Sequence, residues 1–265
     1  MKNIFKSSNP LLIIGILTLS STPAFAAPPT SMTLEPTEKS IQFFKKQVAG
    51  SKSITNAMNS LLDRYPHRTT EFVSIALSAY PEQYKEIIMA SVQKQPMFVD
   101  EIIIVANDFQ LTEPTEILEI AITAEPSYAG AATRAACNYS PENFNEIIRV
   151  AVSTEPDSAD QIAQKLVNAF PSKTMEILVT TIKEVPFVGK YVLDALLATV
   201  SEDEEASKDI IIVSIKQLAN YPDALNRLVE IAQQRDIDSA AIKRSAIEGG
   251  VSKQEITAII DKFYD

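Results

Sequence analysis

The chain holds a single histidine, His67, and a single cysteine, Cys137, and these two bound its nucleophilic and metal chemistry. A Ser-His-Asp or Cys-His arrangement would have to pass its proton through His67, since no other side chain supplies an imidazole. His67 directly follows Pro66 at an expected helix start, where a solvated turn residue is the simpler reading. A His-rich zinc site or an H-E-x-x-H helix is excluded by the count alone. Cys137 falls on an apolar helical stripe, which suits a small, unreactive core thiol. Without a second cysteine no intramolecular disulfide can form.

The six glycines include no G-x-G-x-x-G or G-x-x-x-x-G-K run, so nucleotide phosphates have no cradle. No D-x-[DN]-x-[DN]-G loop for calcium is present either. Carboxylates are plentiful, 34 Asp and Glu, and counting cannot exclude an acid/base pair of the glycosidase type. Trp is absent, however, and most Tyr and Phe fall on core or turn positions, leaving little to stack on a sugar. The expectation is therefore a non-enzyme with no cofactor, no metal and no catalytic residue.

Some of the carboxylates recur with a period. Glu86, Glu116, Glu146 and Glu176 stand 30 residues apart, each followed by Ile-Ile or Ile-Leu. They lie almost opposite the apolar stripe of their helices, so they should line up on one helix layer at roughly a helix diameter, ~10 Å. Glu71 and Glu101 hold the same place on the other layer. A second acidic group, Glu202, Asp203, Glu204 and Glu205, follows Ser201, which with Glu204 makes a capping box. Both groups suit a wet helix face near the positive end of the dipole. They equally suit an anionic surface that docks a basic protein, and Glu86, Glu116, Glu146, Glu176 and Glu202 to Glu205 are the candidate partner-binding residues.

The elements that must position these residues are set by proline. Prolines occupy positions 66, 81, 96, 126, 141, 156, 171 and 186, every interval being 15 residues or a multiple of it. Leu111 takes the missing place, with Pro114 nearby, and Pro36 is in phase upstream. Counted from the proline position, the fourth, seventh, eighth, eleventh and twelfth residues of a unit are mostly apolar, as in Phe144, Ile147, Ile148, Ala151 and Val152. That is the stripe of an amphipathic helix. Proline belongs in the first turn, where its missing N–H costs nothing, and it stops the preceding helix. Each unit is one helix of about three turns and a tight turn, so neighbours run antiparallel and the true repeat is 30 residues. Small residues at the eleventh position, Ala76, Ser91, Ala106, Ala121, Ala136 and Ala151, allow close approach. The fold class expected is all-α: an α-solenoid of antiparallel helix pairs, built from 15-residue units with a 30-residue repeat.

Four segments follow. Residues 1–26 read as a signal peptide: Lys2 and Lys6, an apolar run from Leu11 to Leu19, then Ala24-Phe25-Ala26. Residues 27–35, with Pro28 and Pro29, form a flexible lead, and 36–200 the repeat array. Residues 201–265 form an irregular C-terminal helical cap, where six extra residues shift the next proline to Pro222. The capping signals at Ser201 place that extra length at the start of one helix, which would project from the array. Removing 1–26 takes Lys2 and Lys6 from the 24 basic residues and none of the 34 acidic ones, so 22 − 34 leaves a charge of −12. That balance disfavours nucleic acid and is compatible with cationic partners.

Together these features lead to an expected function: a non-enzymatic protein-protein interaction scaffold outside the cytoplasm, in the periplasm or secreted. The alternative is an accessory, substrate-presenting domain for a cell-envelope enzyme, with a carboxylate-dependent hydrolase third. No stable membrane insertion is expected after signal cleavage.

Overall fold

The computed structural model describes residues 35–185, residue 194 and residues 204–264; among them are fourteen α-helices and no strand. The expected signal peptide, residues 27–34 of the lead, Ser201, Glu202 and Asp203 lie outside the described residues. The first ten helices are α1 (Glu38–Ser51), α2 (Ile54–Arg64), α3 (Thr69–Ala79), α4 (Tyr84–Lys94), α5 (Val99–Asp108), α6 (Pro114–Ala124), α7 (Ala129–Tyr139), α8 (Phe144–Thr154), α9 (Ala159–Ala169) and α10 (Thr174–Glu184). Four more follow: α11 (Glu204–Gln217), α12 (Pro222–Gln234), α13 (Ser239–Glu248) and α14 (Lys253–Ile260).

The punctuation differs in one detail from the expected first-turn proline. Pro66, Pro81, Pro96, Pro126, Pro141, Pro156 and Pro171 each open a three-residue 3-10 turn, and the α-helix starts only after it. The cause is the residue before proline, which the ring pushes out of the helical region. Tyr65, for example, sits at φ −138°, ψ 62°. Its N–H closes α2 on the Leu61 carbonyl at 2.9 Å, and its own carbonyl accepts from Arg68 N at 3.0 Å, which winds the next turn. Pro114 and Pro222 do stand at helix starts.

Helices two apart in sequence lie side by side. One layer runs α1, α3, α5, α7, α9 and the other α2, α4, α6, α8, α10, α11, α13, with sequence neighbours packing across the layers. This is an α-solenoid of helix pairs. The expected stripe is the core: Phe144, Ile147, Ile148, Ala151 and Val152 are buried, as are Ile54, Ala57, Met58, Leu61 and Leu62. At the eleventh position Ala76, Ser91, Ala106, Ala121, Ala136 and Ala151 are all buried, and the Ser91 hydroxyl donates to the Ile87 carbonyl at 2.6 Å. The tight positions therefore take small side chains, and the one polar member keeps its hydrogen bond. Of the aromatics before prolines, Phe170 meets Phe144 edge-on at 5.3 Å and Tyr80 meets Phe44 at 6.2 Å, while Tyr65 stays exposed.

Two irregularities depart from the ladder. Where Leu111 replaces proline, α5 stops early at Asp108, Gln110 turns into the left-handed region at φ 51°, and α6 waits for Pro114. The second departure is in the cap. The expected extension at Ser201, Glu202 and Asp203 lies outside the described residues, and α11 is described from Glu204. At its other end the helix runs to Gln217 and turns through Leu218 to Tyr221. Ile215, Leu218 and Ala219 are buried there, and the end of α13 closes on them at Gly249. A Cβ on Gly249 would lie 2.4 Å from the Lys216 carbonyl oxygen and 2.5 Å from the Ala219 Cβ. The end of α11 thus builds core in the cap. Ser252 closes the last junction, accepting from Glu255 N at 3.2 Å.

Candidate functional site

The periodic glutamates are brought into one layer, on α4, α6, α8 and α10, and each has a partner. Glu86 accepts from Thr55 N at 3.1 Å and Thr55 Oγ1 at 2.7 Å, so it caps the first turn of α2 from the neighbouring helix. Glu116 accepts from Lys85 Nζ at 2.5 Å, from the Tyr84 hydroxyl at 3.0 Å and from Thr112 Oγ1. These donors, Lys85 first, hold its carboxyl down at about 2. Glu146 pairs with Arg149 at 2.6 Å, and Arg149 also reaches Glu184 on α10 at 3.4 Å. Glu176 lies 3.5 Å from Lys173, whose ammonium stands 3.8 Å from the centre of the Phe144 ring. On the other layer Glu71 takes the Arg68 guanidinium, with Nε at 2.7 Å. Of the second acidic group, Glu204 and Glu205 open α11.

The same kind of link recurs along both layers. Lys94 meets Asp63 at 2.6 Å, the Gln95 amide donates to the Leu62 carbonyl at 3.1 Å, Arg134 pairs with Asp100, and Ser153 donates to Glu184 at 2.8 Å. In the cap Lys216 meets Glu248 at 3.0 Å and Ser245 donates to the Ile212 carbonyl at 2.6 Å. Each joins residues 31 to 34 apart, one repeat plus a small offset. Polar side chains on the flanks thus tie α2 to α4, α4 to α6, α5 to α7, α8 to α10 and α11 to α13.

Buried polar atoms without a partner occur at Ser74, Asp100, Asn107, Asp108 and Thr181, and two of them, in Ser74 and Asp108, belong to residues that line one cleft. A cleft of about 440 Å³ opens beside the C-terminal ends of α3 and α5, lined by Ser74 and Ser78 of α3, Asp108 and Phe109 at the end of α5, and Glu35 and Pro36 ahead of α1. Ser74 is 3% exposed, and its hydroxyl has no hydrogen-bond partner. Asp108 accepts from the Tyr139 hydroxyl on α7 through Oδ1 at 3.3 Å, while its buried Oδ2 has no partner. Burial, with the Asp108 charge behind it, pushes the Tyr139 hydroxyl above its ordinary range, so it stays a donor. Sequence reasoning misses this cleft. Its one sequence signal is the run Ser78, Asp108, Asn138, Asn168 at the thirteenth position, beside the break at Leu111.

The two singular residues take the expected places. His67 is exposed in the 3-10 turn after Pro66. Cys137 is 1% exposed, and burial raises its thiol to about 12, which leaves no thiolate at neutral pH. Among the described residues no three His, Cys, Asp or Glu gather to hold a metal ion, and no helix is long and apolar enough to cross a membrane. No family model, no curated protein and no solved structure matches the chain.

Proposed function

We propose that this protein is a non-enzymatic scaffold that binds another protein outside the cytoplasm. One observation carries the reading: polar side chains at several junctions tie stacked helices to each other. Glu86 to Thr55, Lys94 to Asp63 and Ser153 to Glu184 are such ties. A core stripe and a tied flank make a stiff array that offers side chains to a partner at a fixed repeat, which is how solenoids recognise proteins. Its acidic balance favours a basic partner. Export rests on the pattern of residues 1–26.

The test is chemical cross-linking in the native envelope, followed by reconstitution from purified components. A single protein partner recovered in fixed ratio, and re-forming the complex when purified, supports the scaffold. A partner that processes glycans would favour the substrate-presenting alternative. Turnover of a substrate by the purified chain alone would overturn both.

A further inference from the structure

We propose that the cleft beside the C-terminal ends of α3 and α5 is a binding site for a primary alkylammonium group. The inference does not rest on the scaffold reading. Every polar side chain lining the cleft can accept a hydrogen bond: the Ser74 and Ser78 hydroxyls and the Asp108 and Glu35 carboxylates. None of the six lining residues is basic. Both helices present their C-terminal ends here, where the last carbonyls carry the negative pole of the dipole. Phe109 adds an aromatic ring, a surface to which a cation is also drawn. The volume, about 440 Å³, falls within the ~300–1,000 Å³ of small-ligand sites.

Unused bonding capacity accompanies the acidic lining. The Ser74 hydroxyl and Asp108 Oδ2 are buried and unpartnered. An ammonium in the cleft meets the Glu35 carboxylate and the Ser78 hydroxyl, and Ser74 and Asp108 can bond it once their side chains turn toward the opening. The arrangement also selects among cations. A guanidinium prefers both oxygens of one carboxylate, and Asp108 Oδ1 is already occupied by Tyr139. An ammonium carries three donors that can be shared among separate acceptors, which is what Ser74, Asp108 and Glu35 offer.

Two sources could supply the group, a free aliphatic amine or a lysine side chain displayed by a protein, and titration calorimetry on the purified protein distinguishes them. One arm uses cadaverine and the other a neutral-capped pentapeptide with one central lysine, with norleucine and arginine counterparts as controls. Saturable binding is expected for at least one ammonium probe, with none for the norleucine peptide and weaker binding for the arginine peptide. The tighter of the two ammonium probes identifies the source. D108N should weaken binding about tenfold, the loss of one charge-assisted contact. E35Q and S78A, which disturb no internal tie, should each weaken it about threefold with unchanged melting, so the test survives if D108N fails to fold. E86Q, away from the cleft, should bind as wild type. No saturable binding of either ammonium probe, equal binding of the norleucine peptide, or full binding by E35Q and S78A together would overturn the proposal.

Discussion

Replacing Gly249 by alanine sets two well-measured effects against each other. Gly249 ends α13 at φ −80°, an ordinary helical conformation, so propensity alone favours Ala by up to about 1 kcal/mol. Packing opposes it. The new methyl would fall 2.4 Å from the Lys216 carbonyl oxygen and 2.5 Å from the Ala219 Cβ, neither of which is the loose end of a flexible side chain. Relieving that overlap requires α11 and α13 to separate, and overpacking of this kind costs about 1–3 kcal/mol. The Ser245 bond to the Ile212 carbonyl, 2.6 Å, spans the same pair of helices and would be stretched with them. The net expectation is a loss of about 1–2 kcal/mol. Gly50, in α1 with nothing within 4 Å of an added Cβ, is the control, and G50A should gain about 0.5–1 kcal/mol. Urea unfolding followed by circular dichroism gives the sign for each variant. Hydrogen exchange should place the G249A loss in α11 to α14, because stacked repeats couple mainly to nearest neighbours. G249A as stable as wild type, or more so, would refute the close packing of the end of α11 against α13.

Three other outcomes follow from the same coordinates. Ile147 is fully buried and Glu146 exposed, so I147A should cost about 2–5 kcal/mol and E146A less than about 0.5 in chemical denaturation. Glu116 titrates at about 2 instead of 4.5, so its contribution is complete above pH 4.5 and lost as pH falls through 2; E116Q should flatten the acid limb of stability across that window. Cys137, buried with its thiol raised to about 12, should resist a disulfide reagent at pH 8 in the native protein and react at once in denaturant.

The repeat is legible in the sequence because its causes are local. Proline fixes where each helix can begin, and the stripe from Phe144 to Val152 fixes which face is buried. The site is less legible because its causes depend on stacking. Glu116 finds Tyr84 and Lys85 only once α4 and α6 lie side by side at a particular offset. The cleft gathers residues from three segments: Ser78 and Asp108 share a repeat position, but Glu35 comes from ahead of the array and is linked to them by no spacing rule. The cap carries a second local signal that capping residues do not reveal: the stripe Ile211, Ile215, Leu218 continues past the regular end of a unit at the spacing of a buried helix face.

What a ligand must displace separates the two acidic features as sites for a cation. At three members of the glutamate row an incoming lysine must displace a cation already there, Lys85 from Glu116, Arg149 from Glu146 or Lys173 from Glu176, while Glu86 is held by Thr55. Both the bond broken and the bond made are surface ion pairs worth about 0–1 kcal/mol, so the exchange is close to neutral and fades with salt. None of the six lining residues of the cleft is basic, so a ligand proposed there displaces no lining cation. The break in the repeat at Leu111 adjoins this cleft, since it ends α5 at Asp108 and brings Phe109 to the lining, while the stacking of α3 on α5 and α5 on α7 continues through it. A solenoid can accept such an irregularity at one junction because the remaining junctions keep their own contacts. The row glutamates hold two kinds of tie: Glu86 and Glu116 reach the neighbouring helix, while Glu146 and Glu176 pair with the residue three away in sequence.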